Sequence, residues 1–129
     1  MAKSEIIHNI KENGYLILNA DDYFYNFHKK IALKRKINIL TFSMKNKSSN
    51  IYLNSIKKQK LKYKISITIN NKNRYFYFNT CFENDVKNLL ASIAIISIYK
   101  NINKLDHNFF YNHKILSGRG DVSKVKLFK

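Results

Sequence analysis

The chain contains no proline and no tryptophan, and only three of its 129 residues are glycine. Those three are Gly14, Gly118 and Gly120, so no GxxxxGK[ST] loop exists whose backbone amides could cradle the phosphates of a nucleotide. Cys81 is the single cysteine, which excludes an internal disulfide. The four histidines, His8, His28, His107 and His113, lack zinc-ligand spacing. A reducing, cytoplasmic setting is expected. The longest apolar run, residues 89–98, is interrupted by Ser92 and Ser97. It falls well short of the roughly 20 residues a membrane-spanning helix needs, so it is read as a buried helix and no membrane is expected. Residues after Met1 are mixed and charged, without the apolar core of a signal peptide. No Ser/His/Asp set stands at a meaningful spacing.

Acidic residues are also scarce. Eight Asp and Glu face 24 Lys and Arg, for a formal net charge of +16. Such an excess invites a nucleic-acid reading. Against it, Arg35, Arg74 and Arg119 are the only arginines. Arginine is the residue suited to bidentate phosphate and guanine contacts. Abundant Lys, Asn, Ile, Tyr and Phe without Pro or Trp is the set that AT-rich codons specify. Composition alone therefore accounts for the charge, which is read mostly as a solvated face. What is plentiful is apolar and aromatic material, 45% and 14% of residues, enough for one domain around one modest core.

Patterning gives the expected elements. A first helix carries Ile6, Ile7 and Ile10 on one face and stops at Gly14. Residues 15–19 (YLILN) read as a buried strand, 22–34 as a helix with Asp21 and Asp22 near its positive N-terminus, and 37–42 (INILTF) as a second buried strand. This strand–helix–strand spacing predicts a βαβ-like unit in a mostly parallel sheet. Residues 51–56, 62–69 and 74–79 read as three further strands, the second alternating Tyr63, Ile65, Ile67 and Ile69 with polar residues. With the turn at 70–73 (NNKN) they predict a small antiparallel element. A long helix over 83–100 follows, with Val86, Leu89, Leu90, Ile93 and Ala94 as its buried stripe. A shorter helix is expected over 105–112, and residues 125–128 begin a last strand.

Four short motifs carry the chemistry: Ala2-Lys3-Ser4-Glu5-Ile6, then Leu18-Asn19-Ala20-Asp21-Asp22, then Asn88-Leu89-Leu90-Ala91-Ser92, then Gly118-Arg119. Their order and spacing resemble the second half of the central, ATP-binding domain of the Mur ligases. There the pattern runs AKxEI, LNADD, HNxxNxLAA and a GR turn. The resemblance covers essentially the whole chain and implies an α/β fold. Lys3 matches a lysine that, once carbamylated, offers an oxygen ligand to Mg²⁺, as a hard cation requires. Asn88 matches the asparagine that recognises adenine, an amide able to donate and accept along one purine edge. Arg119 matches the arginine that reaches the ribose and phosphates, where a fork of donors suits oxyanions. Asn19, Asp21 and Asp22 end a strand, where α/β proteins place ligands. The reading favoured for them is the capping of the following helix.

The sequence departs from the family where Phe82-Glu83-Asn84-Asp85 replaces Gly-x-His-Asn, and where Tyr23 replaces a frequent proline. The family's phosphate loop and its metal-binding Glu and His precede AKxEI, so they would lie before Met1. Its DxYNANP stretch and C-terminal domain would follow Lys129. The resemblance thus implies a partial domain, inactive alone and monomeric. In the intact enzyme it would use ATP and Mg²⁺ to join a UDP-N-acetylmuramoyl peptide to D-alanyl-D-alanine. A sister ligase, a folylpolyglutamate synthetase fragment, a structural remnant and a small basic nucleic-acid-binding domain centred on residues 57–74 are the alternatives.

Overall fold

The computed structural model of the chain describes residues 14–112. The expected first helix and everything from residue 113 onward lie outside them. Five strands form one sheet in the order β1-β2-β3-β4-β5. They are β1 (Tyr15–Asn19), β2 (Asn38–Ser43), β3 (Ile51–Gln59), β4 (Lys62–Ile69) and β5 (Lys72–Phe78). Helix α1 (Tyr25–Lys34) joins β1 to β2, and helix α2 (Glu83–Tyr99) follows β5. A 3₁₀ turn (Ile102–Lys104) and a one-turn helix α3 (Phe109–Asn112) complete the described chain.

The βαβ unit forms as the spacing predicts. Strand β1 buries Leu16, Ile17 and Leu18 consecutively because both of its faces are covered. Ile17 joins the main core, whereas Leu16 and Leu18 pack with Ala32 and Ile37 beneath α1. Helix α1 ends in a Schellman motif: Ile37 N–H donates to Ala32 O at 3.0 Å and Lys36 N–H to Leu33 O at 3.2 Å. Lys36 takes the left-handed conformation there (φ 56°), a position that usually falls to glycine. The buried Ala32–Ile37 contact fixes the turn despite that cost.

Helix α1 begins three residues later than expected, and neither Asp21 nor Asp22 lies in its first turn. The cap expected of Asp21 is replaced by a tertiary latch. Its Oδ1 accepts from the Ser43 hydroxyl at 2.6 Å, and its Oδ2 accepts from Met44 N–H at 2.7 Å. The same Ser43 oxygen accepts from the amides of Lys45 and Asn46. One carboxylate therefore ties the end of β1 to the end of β2 and orders the turn beyond, which is worth more than an exposed helix cap.

The antiparallel part is larger than the small appendage the pattern predicts. β1–β2 and β2–β3 pair in parallel over five and two residues, while β3–β4 and β4–β5 pair antiparallel over eight and seven. The sheet is mixed: β1, β2 and β3 run parallel as expected, and the antiparallel β3–β5 part is at least as large. The two-residue overlap of β2 with β3 explains how only residues 44–50 can join parallel neighbours, which ordinarily need a long crossover. Asn50 braces that join: its Oδ1 accepts from Thr41 N–H (2.9 Å) and the Thr41 hydroxyl (3.0 Å). Its own N–H donates to Thr41 Oγ1 at 3.0 Å. The β4–β5 hairpin turns on Asn70 and Asn71 alone, at φ 48° and 71°, the positive pair a two-residue turn requires.

Ile65, Ile67 and Ile69 of β4 and Phe76 and Phe78 of β5 all face the core. Helix α2 covers them with Val86, Leu89, Leu90, Ile93 and Ala94, and reaches Ile17, Phe42 and Ile51 across the sheet. The helix expected over 105–112 is broken because its first half serves the sheet edge instead. His107 O accepts from Tyr77 N–H at 2.8 Å. Arg74 donates to the carbonyls of Asn103 (2.6 Å) and Leu105 (2.9 Å).

Truncating Leu89, which is wholly buried, is expected to lower unfolding free energy by about 2–5 kcal/mol. The Leu61→Ala change, at an 88% exposed hairpin tip, is expected to stay within about 0.5 kcal/mol. Urea titration followed by circular dichroism compares the two. Asp21→Asn leaves one amide hydrogen-bond donor facing another donor, and the same titration should register a loss of about 1–3 kcal/mol.

Candidate functional site

Asn88 is the one expected site residue that falls within the described structure; Lys3 and Arg119 lie outside it. It stands in the second turn of α2, half-buried beside the core residues Val86, Leu89 and Leu90. Its amide makes no hydrogen bond among the described residues. The turn before α2 is organised by Thr80, whose hydroxyl accepts from Phe82 N–H at 3.2 Å and donates to Asp85 Oδ2 at 3.0 Å. Glu83 and Asp85 occupy the first turn, where the helix dipole favours acids. Glu83 also pairs with Lys87 at 3.6 Å, an exposed contact of small value.

The substitution of Phe82-Glu83-Asn84-Asp85 for a glycine-led turn is accommodated without strain. Phe82 has an extended backbone (φ −62°, ψ 140°), so this approach to the helix needs no glycine. Phe82 itself is 74% exposed.

The carboxyl ends of β1 and β2 are the other place where an α/β sheet holds ligands. Here Asn19 Oδ1 accepts from Asp21 N–H at 2.9 Å, and both Asp21 oxygens serve the latch to Ser43 and Met44. That carboxylate is committed to structure. Among the described residues no group of three or more His, Cys, Asp or Glu is placed to hold a metal ion. They therefore do not by themselves fit Mg²⁺, and Lys3, which the resemblance matches to the metal side, lies outside them. The sequence reading did not find Ser43, Thr41 or Asn50. A short polar residue closing each of two neighbouring apolar runs was the available signal, but their pairing is tertiary.

Comparison with known proteins follows the same lines. The sequence profile of the Mur ligase middle domain matches residues 1–96, a stretch that holds Lys3 and Asn88 but not Arg119. No curated protein sequence matches the chain. Among solved structures, MurF from Acinetobacter baumannii superposes with a TM-score of 0.62 at 20% identity, over 74% of this chain and 20% of that one. A structure of UDP-N-acetylmuramoylalanyl-D-glutamyl-2,6-diaminopimelate–D-alanyl-D-alanyl ligase from the same organism gives 0.59 at 20% identity, over 72% and 20%. UDP-N-acetylmuramoyl-L-alanyl-D-glutamate–2,6-diaminopimelate ligase gives 0.59 at 16%, over 67% and 19%. The chain spans about a fifth of the length of each. Such identities speak to fold, and the profile match over most of the chain speaks to descent: this chain belongs to the Mur ligase middle-domain family.

Proposed function

We propose that this chain forms the nucleotide side of an ATP-dependent ligase that makes an amide bond in peptidoglycan precursor synthesis. In that reaction ATP phosphorylates the carboxylate of a UDP-N-acetylmuramoyl peptide. The amine of D-alanyl-D-alanine then attacks the acyl phosphate, and inorganic phosphate leaves. Family membership supports the reaction class, and the D-alanyl-D-alanyl ligase among the structural neighbours supports the acceptor. The reading carries a cytoplasmic setting with it, as the family resemblance implies. Among the described residues, no helix is long and apolar enough to cross a membrane.

Asn88 is the observation that carries this reading. Its amide is half-buried, unengaged among the described residues and held on a rigid helix, so it can meet the N6 and N7 edge of adenine as donor and acceptor together. Arg119 would add charge-assisted bonds to the ribose and phosphates. Bound Mg²⁺ supplies charge neutralisation at the phosphates. Lys3, as its carbamate, is the residue of this chain that could hold it. No loop in the sequence surrounds the β- and γ-phosphates, so the chain by itself is a binding half rather than a catalyst.

Calorimetric titration of the 129-residue chain with ATP tests this. Asn88→Ala should weaken binding about tenfold, the value of one to two buried hydrogen bonds, while Lys57→Ala should leave it unchanged. Equal affinity for ATP and GTP, or an unaltered Asn88→Ala variant, overturns the adenine assignment. With the muramoyl peptide and D-alanyl-D-alanine added, the chain alone should release no phosphate.

A further inference from the structure

The side of β3–β5 turned away from α2 has a chemistry the ligase reading does not use. Alternation along the strands puts Lys64, Ser66 and Thr68 of β4 on this outer side, opposite the buried Ile65, Ile67 and Ile69. Register sets Tyr77 across from Lys64, Tyr75 across from Ser66, and Tyr52 across from Thr68. Tyr52, Asn54, Lys64, Ser66, Thr68 and Tyr75 line an open tray of about 440 Å³ on this side. Its floor is a relay across three strands: Asn54 Nδ2 donates to Thr68 Oγ1 at 2.8 Å, and that hydroxyl donates to Asn73 Oδ1 at 2.9 Å.

The charge here is of one sign. Residues 51–79 carry seven Lys and Arg and no Asp or Glu. Lys57 and Lys64 stand directly opposite each other in the β3–β4 ladder, a like-charge pairing that costs stability unless an anion lies between. With no carboxylate on these strands, the ammonium groups settle on rings instead. Lys62 Nζ lies 3.8 Å from the centre of Tyr77, and Lys64 Nζ lies 4.3 Å from that of Tyr75. His107 stacks on Tyr75 with centroids 3.9 Å apart and planes 3° from parallel, which extends the row of flat surfaces to the sheet edge. Codon composition accounts for how many lysines the chain has. It does not account for Lys57, Lys62 and Lys64 standing together on this face, interleaved with three tyrosines and free of acids.

We propose that the outer face of β3–β5 binds single-stranded nucleic acid without preference for base sequence. Sheets that bind single strands combine cations along the backbone path with rings on which bases stack, and two or three bases commonly lie on one sheet. Lys57, Lys62 and Lys64 supply the cations, and Tyr52, Tyr75 and Tyr77 the rings. The Asn54–Thr68–Asn73 relay leaves amide groups for base edges. An acidic peptide would satisfy the charge but would leave the rings unused. The near absence of arginine removes bidentate guanine readout, hence the lack of sequence preference. Asn88 is on α2, against the other face of the sheet, so this inference does not rest on the ligase reading and fails independently of it.

Fluorescence anisotropy with the full chain and a labelled oligothymidylate of roughly 12 nucleotides, within the usual site sizes of single-strand binders, tests the proposal. Neutralising three phosphates predicts a slope of log K on log salt near −2. Lys62→Gln with Lys64→Gln should flatten that slope by more than one unit. Tyr77→Leu should weaken binding about fivefold or more at unchanged slope, the loss of one stacked base. Ser66→Glu leaves every ring in place and should abolish binding if Tyr77→Leu proves poorly folded by circular dichroism. A polyglutamate peptide of equal length should not displace the oligonucleotide. Displacement by that peptide, a Tyr77→Leu variant that folds and binds like the parent, or an equal loss from Lys29→Gln with Lys30→Gln on α1 would each overturn the assignment.

Discussion

The packing of α2 across the sheet is the constraint on which everything else depends. Strands β2 and β3 share only two register pairs, too short a seam to join a parallel unit to an antiparallel one. The helix closes that seam from one side. Its Leu89, Leu90 and Ile93 share one core with Ile17 and Phe42 from the parallel part and with Ile65, Ile67 and Phe76 from the antiparallel part. Burial of each such side chain contributes about 1.5–3 kcal/mol, far more than the hydrogen bonds of a two-residue ladder. Asn50 and Asp21 then set register at the seam and at the strand ends, where apolar packing has no directional preference.

The same helix carries Asn88, so the candidate site inherits the rigidity of the core. A half-buried amide one turn into a helix, next to wholly buried leucines, keeps a fixed height and direction. The lysine–tyrosine face on the other side of the sheet inherits it too, through β4, whose alternate residues are core. Two surfaces with unrelated chemistry are thereby held in register by one set of apolar contacts.

What the sequence revealed follows the range of the forces involved. The apolar run of β1, the alternation of β4 and the stripe of α2 are imprinted by burial on neighbouring residues, and each is found within a residue or two of its expected place. The latch is different. Nothing near Asp21 in the chain announces Ser43, and local rules assign such an acid to the helix that follows. The broken helix after α2 is a similar case. Its propensity is helical, but the unpaired edge of β5 and Arg74 draw residues 103–107 into edge contacts. Asn88 is a candidate through motif order alone, because the spacing from LNADD to NLLAS survives even where the glycine and histidine of the family pattern do not.

The scarcity of glycine has a physical trace in the backbone. Four described residues other than glycine adopt positive φ: Lys36, Lys60, Asn70 and Asn71. The asparagines bear this easily, while each lysine costs on the order of 1 kcal/mol relative to glycine. Both lysines stand where a turn must reverse the chain, one closing α1 and one opening the β3–β4 hairpin. A backbone bent this way by its surroundings stores tension at its corners. The corners rather than the core therefore hold the easiest gains in stability, and they are where a lineage less biased in composition would first restore glycine.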